Sequence, residues 1–252
     1  MKRSSLVWSL CVLGALGCGD EPSKNAAPTA TALESAKPAS AEALAFVVDS
    51  KASKAAWTME APIEKIFGEL PAGLSGQLFI DPKDLTKTTG LLEGDLSTLD
   101  LFQQKRKDEK DEKSEFGERV RSDKQNEHAR AWLQLEKDKA FAKSQFAIKK
   151  LSTDTADLTK LSGAERKVTG SLTGELLVHG RKAERTVKFE ATFTFAGDKI
   201  SKVTAKTLEP LDVNLEEFDV RPHDPGGKTL QALAPKVAKS APVMIDLVAL
   251  PK

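Results

Sequence analysis

The 252-residue chain carries 38 basic and 37 acidic side chains, with 40% apolar and 30% charged residues. That balance gives no electrostatic drive toward nucleic acid, and 11 Phe, 3 Trp and no Tyr are a poor supply for stacking single strands. The length suffices to bury one core without disulfides or metals.

In chain order, Lys2 and Arg3 precede an apolar run from Leu6 to Gly17. As a helix this run would span about 18 Å against roughly 30 Å of hydrocarbon, so residues 1–17 read as a signal peptide and not as a membrane anchor. The segment Leu13-Gly14-Ala15-Leu16-Gly17-Cys18 resembles a bacterial lipobox, although Ala15 stands where an aliphatic residue is usual. An ordinary cleaved leader with a spare cysteine is the other reading. With Cys11 lost in the leader, Cys18 would be the only cysteine left and could form no intramolecular disulfide. The lipobox resemblance implies a palmitate-type acylated Cys18 and an exported lipoprotein. It would be membrane-anchored at the periplasmic face of the inner or outer membrane, or at the cell surface. Residues 18–44, rich in Ala, Ser, Pro and Thr, read as a disordered tether with a mean reach on the order of 25–30 Å.

Residues 45–252 form the folded domain. Period-two alternation is clearest at Val187-Lys188-Phe189-Glu190-Ala191-Thr192-Phe193-Thr194-Phe195, apolar at every odd position. Val168, Leu172, Leu176 and Val178 alternate similarly, and Gly170 and Gly174 among them suggest a bulge or strong curvature. Further strands are predicted at 46–60, 74–81, 90–101, 146–152, 199–209, 211–220 and 242–250. Asp81-Pro82, His179-Gly180, Ala196-Gly197-Asp198 and Glu209-Pro210 mark turns. The fold class is mainly all-β, an antiparallel barrel or sandwich. Residues 105–113 are all charged, and the insertion, about 103–125, reads as a solvated helix or a floppy segment. Residues 126–142 suit a short amphipathic helix with Ala129, Trp132, Leu133 and Leu135 toward the core.

Several stretches resemble the YceI-like family. Phe46-Val47-Val48-Asp49 with Ser53 and Trp57 is similar to its opening strand. Gly68-Glu69-Leu70 followed by Leu74-Ser75-Gly76-Gln77-Leu78-Phe79-Ile80-Asp81-Pro82 is similar to its first hairpin. Asn126-Glu127-His128 with Trp132-Leu133 resembles its helix. Val168 to Leu172 and Leu176 to Gly180 resemble a later strand and turn, and Val243 to Leu247 the closing strand. The long charged insertion, the missing proline after the helix and the region Arg221 to Lys239 depart from the pattern.

The resemblance implies an eight-stranded, lipocalin-like antiparallel barrel holding a long apolar lipid, such as a polyisoprenoid or isoprenoid quinone, as a non-catalytic carrier. Trp57, Phe79, Trp132, Leu176, Val178, Phe189 and Phe193 are the candidate lining residues, each of which could equally be ordinary core. The alternative is a lipid-anchored interaction module with a packed barrel that meets a protein partner through the charged insertion. No cofactor, metal site or catalytic residue is expected. His128, His179 and His223 lack metal-ligand spacing, and no nucleophile elbow, phosphate loop or dinucleotide fingerprint occurs.

Overall fold

The computed structural model describes residues 31–222 and 238–252. The leader, Cys18, the first part of the tether and His223 lie outside the described residues.

Among the described residues, thirteen strand segments merge into one closed antiparallel barrel. The segments are β1 (Leu44–Val48), β2 (Lys54–Glu60), β3 (Glu64–Pro71), β4 (Leu74–Ile80), β5 (Thr89–Asp95), β6 (Asp100–Lys105) and β7 (Val120–Arg121). After helix α1 (Asp123–Trp132) come β8 (Lys143–Thr153), β9 (Glu165–Val178), β10 (Arg181–Ala196), β11 (Lys199–Thr207), β12 (Leu211–Asn214) and β13 (Ser240–Pro251). The closed circuit has eight strands, β1-β4-β5-β8-β9-β10-β11-β13, and returns from β13 to β1. β2, β3, β6 and β12 continue β1, β4, β5 and β11 beyond local breaks, so that β13 pairs β1 and β2 in turn along one edge.

Three of these breaks have a local cause. Between β1 and β2 the chain loops out at residues 49–53, and the ladder partner of Val248 is replaced by the buried Ser53. Its hydroxyl accepts from Val248 N–H (2.9 Å) and donates to Val248 C=O (3.2 Å), completing the β13 edge. Between β3 and β4, Ala72 adopts φ 53°. Between β5 and β6, a single turn at Leu96–Thr98 is capped by Asp95. The His179-Gly180 turn joins β9 to β10 with φ 48° and 68°, the left-handed pair of a two-residue hairpin loop. The bulge expected near Gly170 and Gly174 lies on the neighbouring strand, where the β8–β9 register shifts between Ile148 and Lys150.

The charged insertion is neither helical nor structureless, contrary to both expectations. It is a hairpin-like arm between β6 and β7, closed by the Arg106–Phe116 bridge. Cations stitch it down. Phe116 lies under Arg106 (4.0 Å) and Lys65 (4.9 Å), while Arg119 covers Phe67 and Phe102 at 4.7 and 4.4 Å. The helix starts at Asp123, capped by Ser122, and stops at Trp132, earlier than the expected residue 142. Leu135 N–H reaches Arg130 C=O and Gln134 N–H reaches Ala131 C=O, a Schellman closure with Gln134 at φ 51° where glycine is usual.

The described end of the expected tether is also ordered. Leu33 is buried and donates its N–H to Gln145 Oε1 (2.7 Å), Lys37 C=O accepts from Thr89 (2.6 Å), and Ser40 donates to Asp81 (2.7 Å). The segment lies as a strap against the barrel, held through its main chain and Ser40 by Gln145, Thr89 and Asp81, partners that the strap's own composition does not reveal.

Candidate functional site

The barrel interior is solid at one end and hollow toward the other. At the closed end, two single-turn loops pair, Leu85 N–H to Ala156 C=O (2.7 Å) and Leu158 N–H to Pro82 C=O (2.9 Å). Each loop inserts a leucine, buried to 3% and 0% exposure, against Phe46, Val168, Phe193 and Ile200. Above this plug lies a cavity of about 400 Å³ with an overwhelmingly apolar lining.

Inward glycines shape the cavity wall. Trp57 on β2 faces Gly68 on β3 across the ladder, and a Cβ built at Gly68 would overlap the indole ring. Gly174 on β9 leaves the corresponding space for the Phe146 ring on β8. Large rings therefore lie flat against the wall, leaving the barrel centre open.

One side of the wall is not a strand. β5 pairs β8, but its continuation β6 pairs the two-residue β7, so α1 stands beside β6 where the barrel ladder stops. Asn126 holds the helix there. Its amide accepts from Leu101 N–H (3.0 Å) and donates to Leu101 C=O (3.0 Å) and Ser122 C=O (2.9 Å). The side chain thus supplies β6 with the two hydrogen bonds a neighbouring strand would give. Gln125, His128, Ala129 and Trp132 then face the cavity from α1. His128 stacks on Trp132 at 5.9 Å with an 8° interplanar angle.

Of the seven candidate lining residues, Trp57, Trp132, Leu176, Val178, Phe189 and Phe193 border the cavity. Phe79 does not. Its neighbours Leu78 and Ile80 point inward, so period two sends Phe79 to the outer face, where it is half-buried beside Ala45. Cys18 lies outside the described residues. Sequence reasoning missed the contribution of β3 through Ile66 and Leu70, because the adjacent Phe67 obscures the alternation. It also missed Leu92 and Phe146, and the polar rim at Glu60, Glu64 and Gln125. His179 is fully buried, with Nδ1 3.1 Å from Phe218 C=O and its ring 4.3 Å from that of Phe141. Among the described residues no group of three His, Cys, Asp or Glu could hold a metal ion, and no helix is long and apolar enough to cross a membrane.

The YceI-like domain model matches residues 46–249, the whole barrel from β1 to β13. The chain belongs to the YceI-like family. Two solved structures are similar at low identity. A polyisoprenoid binding domain from Saccharophagus degradans, implicated in plant cell wall breakdown, gives a TM-score of 0.49 at 14% identity, covering 83% of this chain and 99% of that one. BcnA of Burkholderia cenocepacia gives 0.47 at 16% identity, covering 81% and 99%. No curated protein sequence matches this chain.

Proposed function

We propose that this YceI-like barrel is a non-catalytic carrier for a long apolar lipid of the isoprenoid type. The observation that carries the reading is the apolar cavity of about 400 Å³ between the leucine plug and the rim. Small antiparallel barrels hold one ligand when large side chains do not fill them, and here inward glycines keep the rings against the wall. Each Å² of apolar ligand surface buried contributes about 25 cal/mol, before the ordering of a flexible chain is subtracted. The hollow interior disfavours the alternative of a packed barrel serving as an interaction module. The arm's Arg106 and Arg119 are already engaged on Phe116, Phe67 and Phe102.

The leader and Cys18 support a site of action in the cell envelope, with an acylated Cys18 tethering the barrel near the bilayer that supplies its ligand. Native mass spectrometry of gently purified protein tests the carrier reading. A retained apolar ligand, or uptake of an added isoprenoid quinone, is expected; an empty barrel that takes up none refutes it. A Cys18→Ala variant that fractionates with membranes like the wild type would refute the anchor.

A further inference from the structure

We propose that Glu64 is a specificity-determining residue that makes the cavity select uncharged or cationic amphiphiles over anionic ones. The proposal rests on the cavity being a lipid site and concerns which head group it accepts. A lipid whose tail fills an apolar cavity leaves its polar head at the rim, because burying the head without partners costs several kcal/mol.

The rim carries both signs, but among the described residues Glu64 is a rim carboxylate in no ion pair, whereas Glu60 is paired with Lys65. Glu64 begins β3 on the inward face that it shares with Ile66 and Leu70, and it borders the cavity. The Gln103 amide on β6 donates to its carboxylate and fixes it in place. Glu60, at the end of β2, stands on the same rim.

The neighbouring cations are paired with carboxylates other than Glu64. Lys65 binds Glu60 (2.7 Å) and lies over Phe116, on the face of β3 opposite to Glu64. Lys105, across the ladder from Glu64, turns to Glu109 (3.2 Å). Lys206 is the one cation bordering the cavity among the described residues, and it is paired with Glu190 (3.2 Å). A carboxylate or phosphate head would therefore meet a fixed like charge at a partly desolvated edge, where repulsion is stronger than in bulk water. A hydroxyl or amide head can donate to the same oxygens.

The test uses the delipidated full chain and three probes of one chain length, dodecanol, dodecanoate and dodecylammonium, followed by Trp fluorescence at pH 7.5. Wild type is expected to bind dodecanol and dodecylammonium about tenfold more tightly than dodecanoate, equivalent to about 1.4 kcal/mol. Glu64→Gln, which can keep a hydrogen bond to Gln103, is expected to bring the alcohol-to-carboxylate ratio close to one. Dodecanoate binding wild type as tightly as dodecanol overturns the proposal without needing any variant. An unchanged ratio in a Glu64→Gln protein of wild-type melting temperature also overturns it. If none of the three probes binds, the carrier reading itself fails, and the proposal with it.

Discussion

The two ends of this barrel use the same residue types to opposite effect. At the closed end, Phe46, Leu158, Val168 and Ala249 are at most 1% exposed and belong to one buried cluster. Toward the rim, Trp57, Phe189 and Trp132 are only partly buried and surround empty space. The difference lies in their neighbours. The closed end is filled by loops that insert side chains across the axis, whereas the upper wall has glycine opposite its rings and a helix in place of a strand. Burial of apolar side chains builds either a core or a container, depending on what stands across from each ring.

Mutations at the two ends should separate accordingly. Phe46→Ala is expected to cost about 3–5 kcal/mol, the range for truncating a packed phenylalanine, while Phe189→Ala, already bordering a void, should cost no more than about half of that. Urea denaturation of both variants checks the contrast, and equal losses would mean that the cavity wall is as tightly packed as the plug. Gly68→Ala should come next, at about 1–3 kcal/mol, because its methyl displaces the Trp57 indole. A changed near-ultraviolet circular dichroism signal from Trp57 should accompany it. Asn126→Ala removes both groups that pair the Leu101 peptide, at a cost of about 1–3 kcal/mol. Hydrogen exchange should show faster exchange at Leu101 and along α1, with protection at Leu158 unchanged.

Much of the container was legible in the sequence, because a two-residue period survives wherever one face is wet. β10 reads directly from Val187 to Phe195, and six of the seven proposed lining residues border the cavity. Phe79 failed because a hydrophobic residue between two inward ones was read by type and not by parity. The arm failed because its stability comes from cations lying on the outward rings of Phe67, Phe102 and Phe116, an interaction that charge counting scores as solvation. The plug carried a signal that went unread. Asp84-Leu85-Thr86-Lys87 and Asp157-Leu158-Thr159-Lys160 repeat one tetrapeptide 73 positions apart, and both copies fold as the same Asp-capped single turn.

That repeat sets the smallest expected effect, and one confined to the closed end. Thr86 donates its hydroxyl and its N–H to Asp84, and Thr159 does the same for Asp157, which holds both carboxyls below the ordinary value of 3.8. Asp81 lies nearby. Burial works to raise it, but hydrogen bonds from Ser40 and the Lys83 and Asp84 amides, with the charge of Lys87, outweigh that and lower it. A carboxyl depressed on folding contributes stability that is complete above its unfolded value and is lost as pH falls through the folded one. All three groups therefore stabilise the plug at neutral pH and release it only below about pH 4. Hydrogen exchange of the Leu85 and Leu158 amides, followed from pH 6 to pH 3 and corrected for intrinsic rates, should show protection falling at the plug across the acid end of that range. Asp84→Asn with Asp157→Asn should flatten the dependence. If the plug keeps its protection at pH 3, these carboxyls do not gate the closed end, and its rigidity comes from the leucines alone.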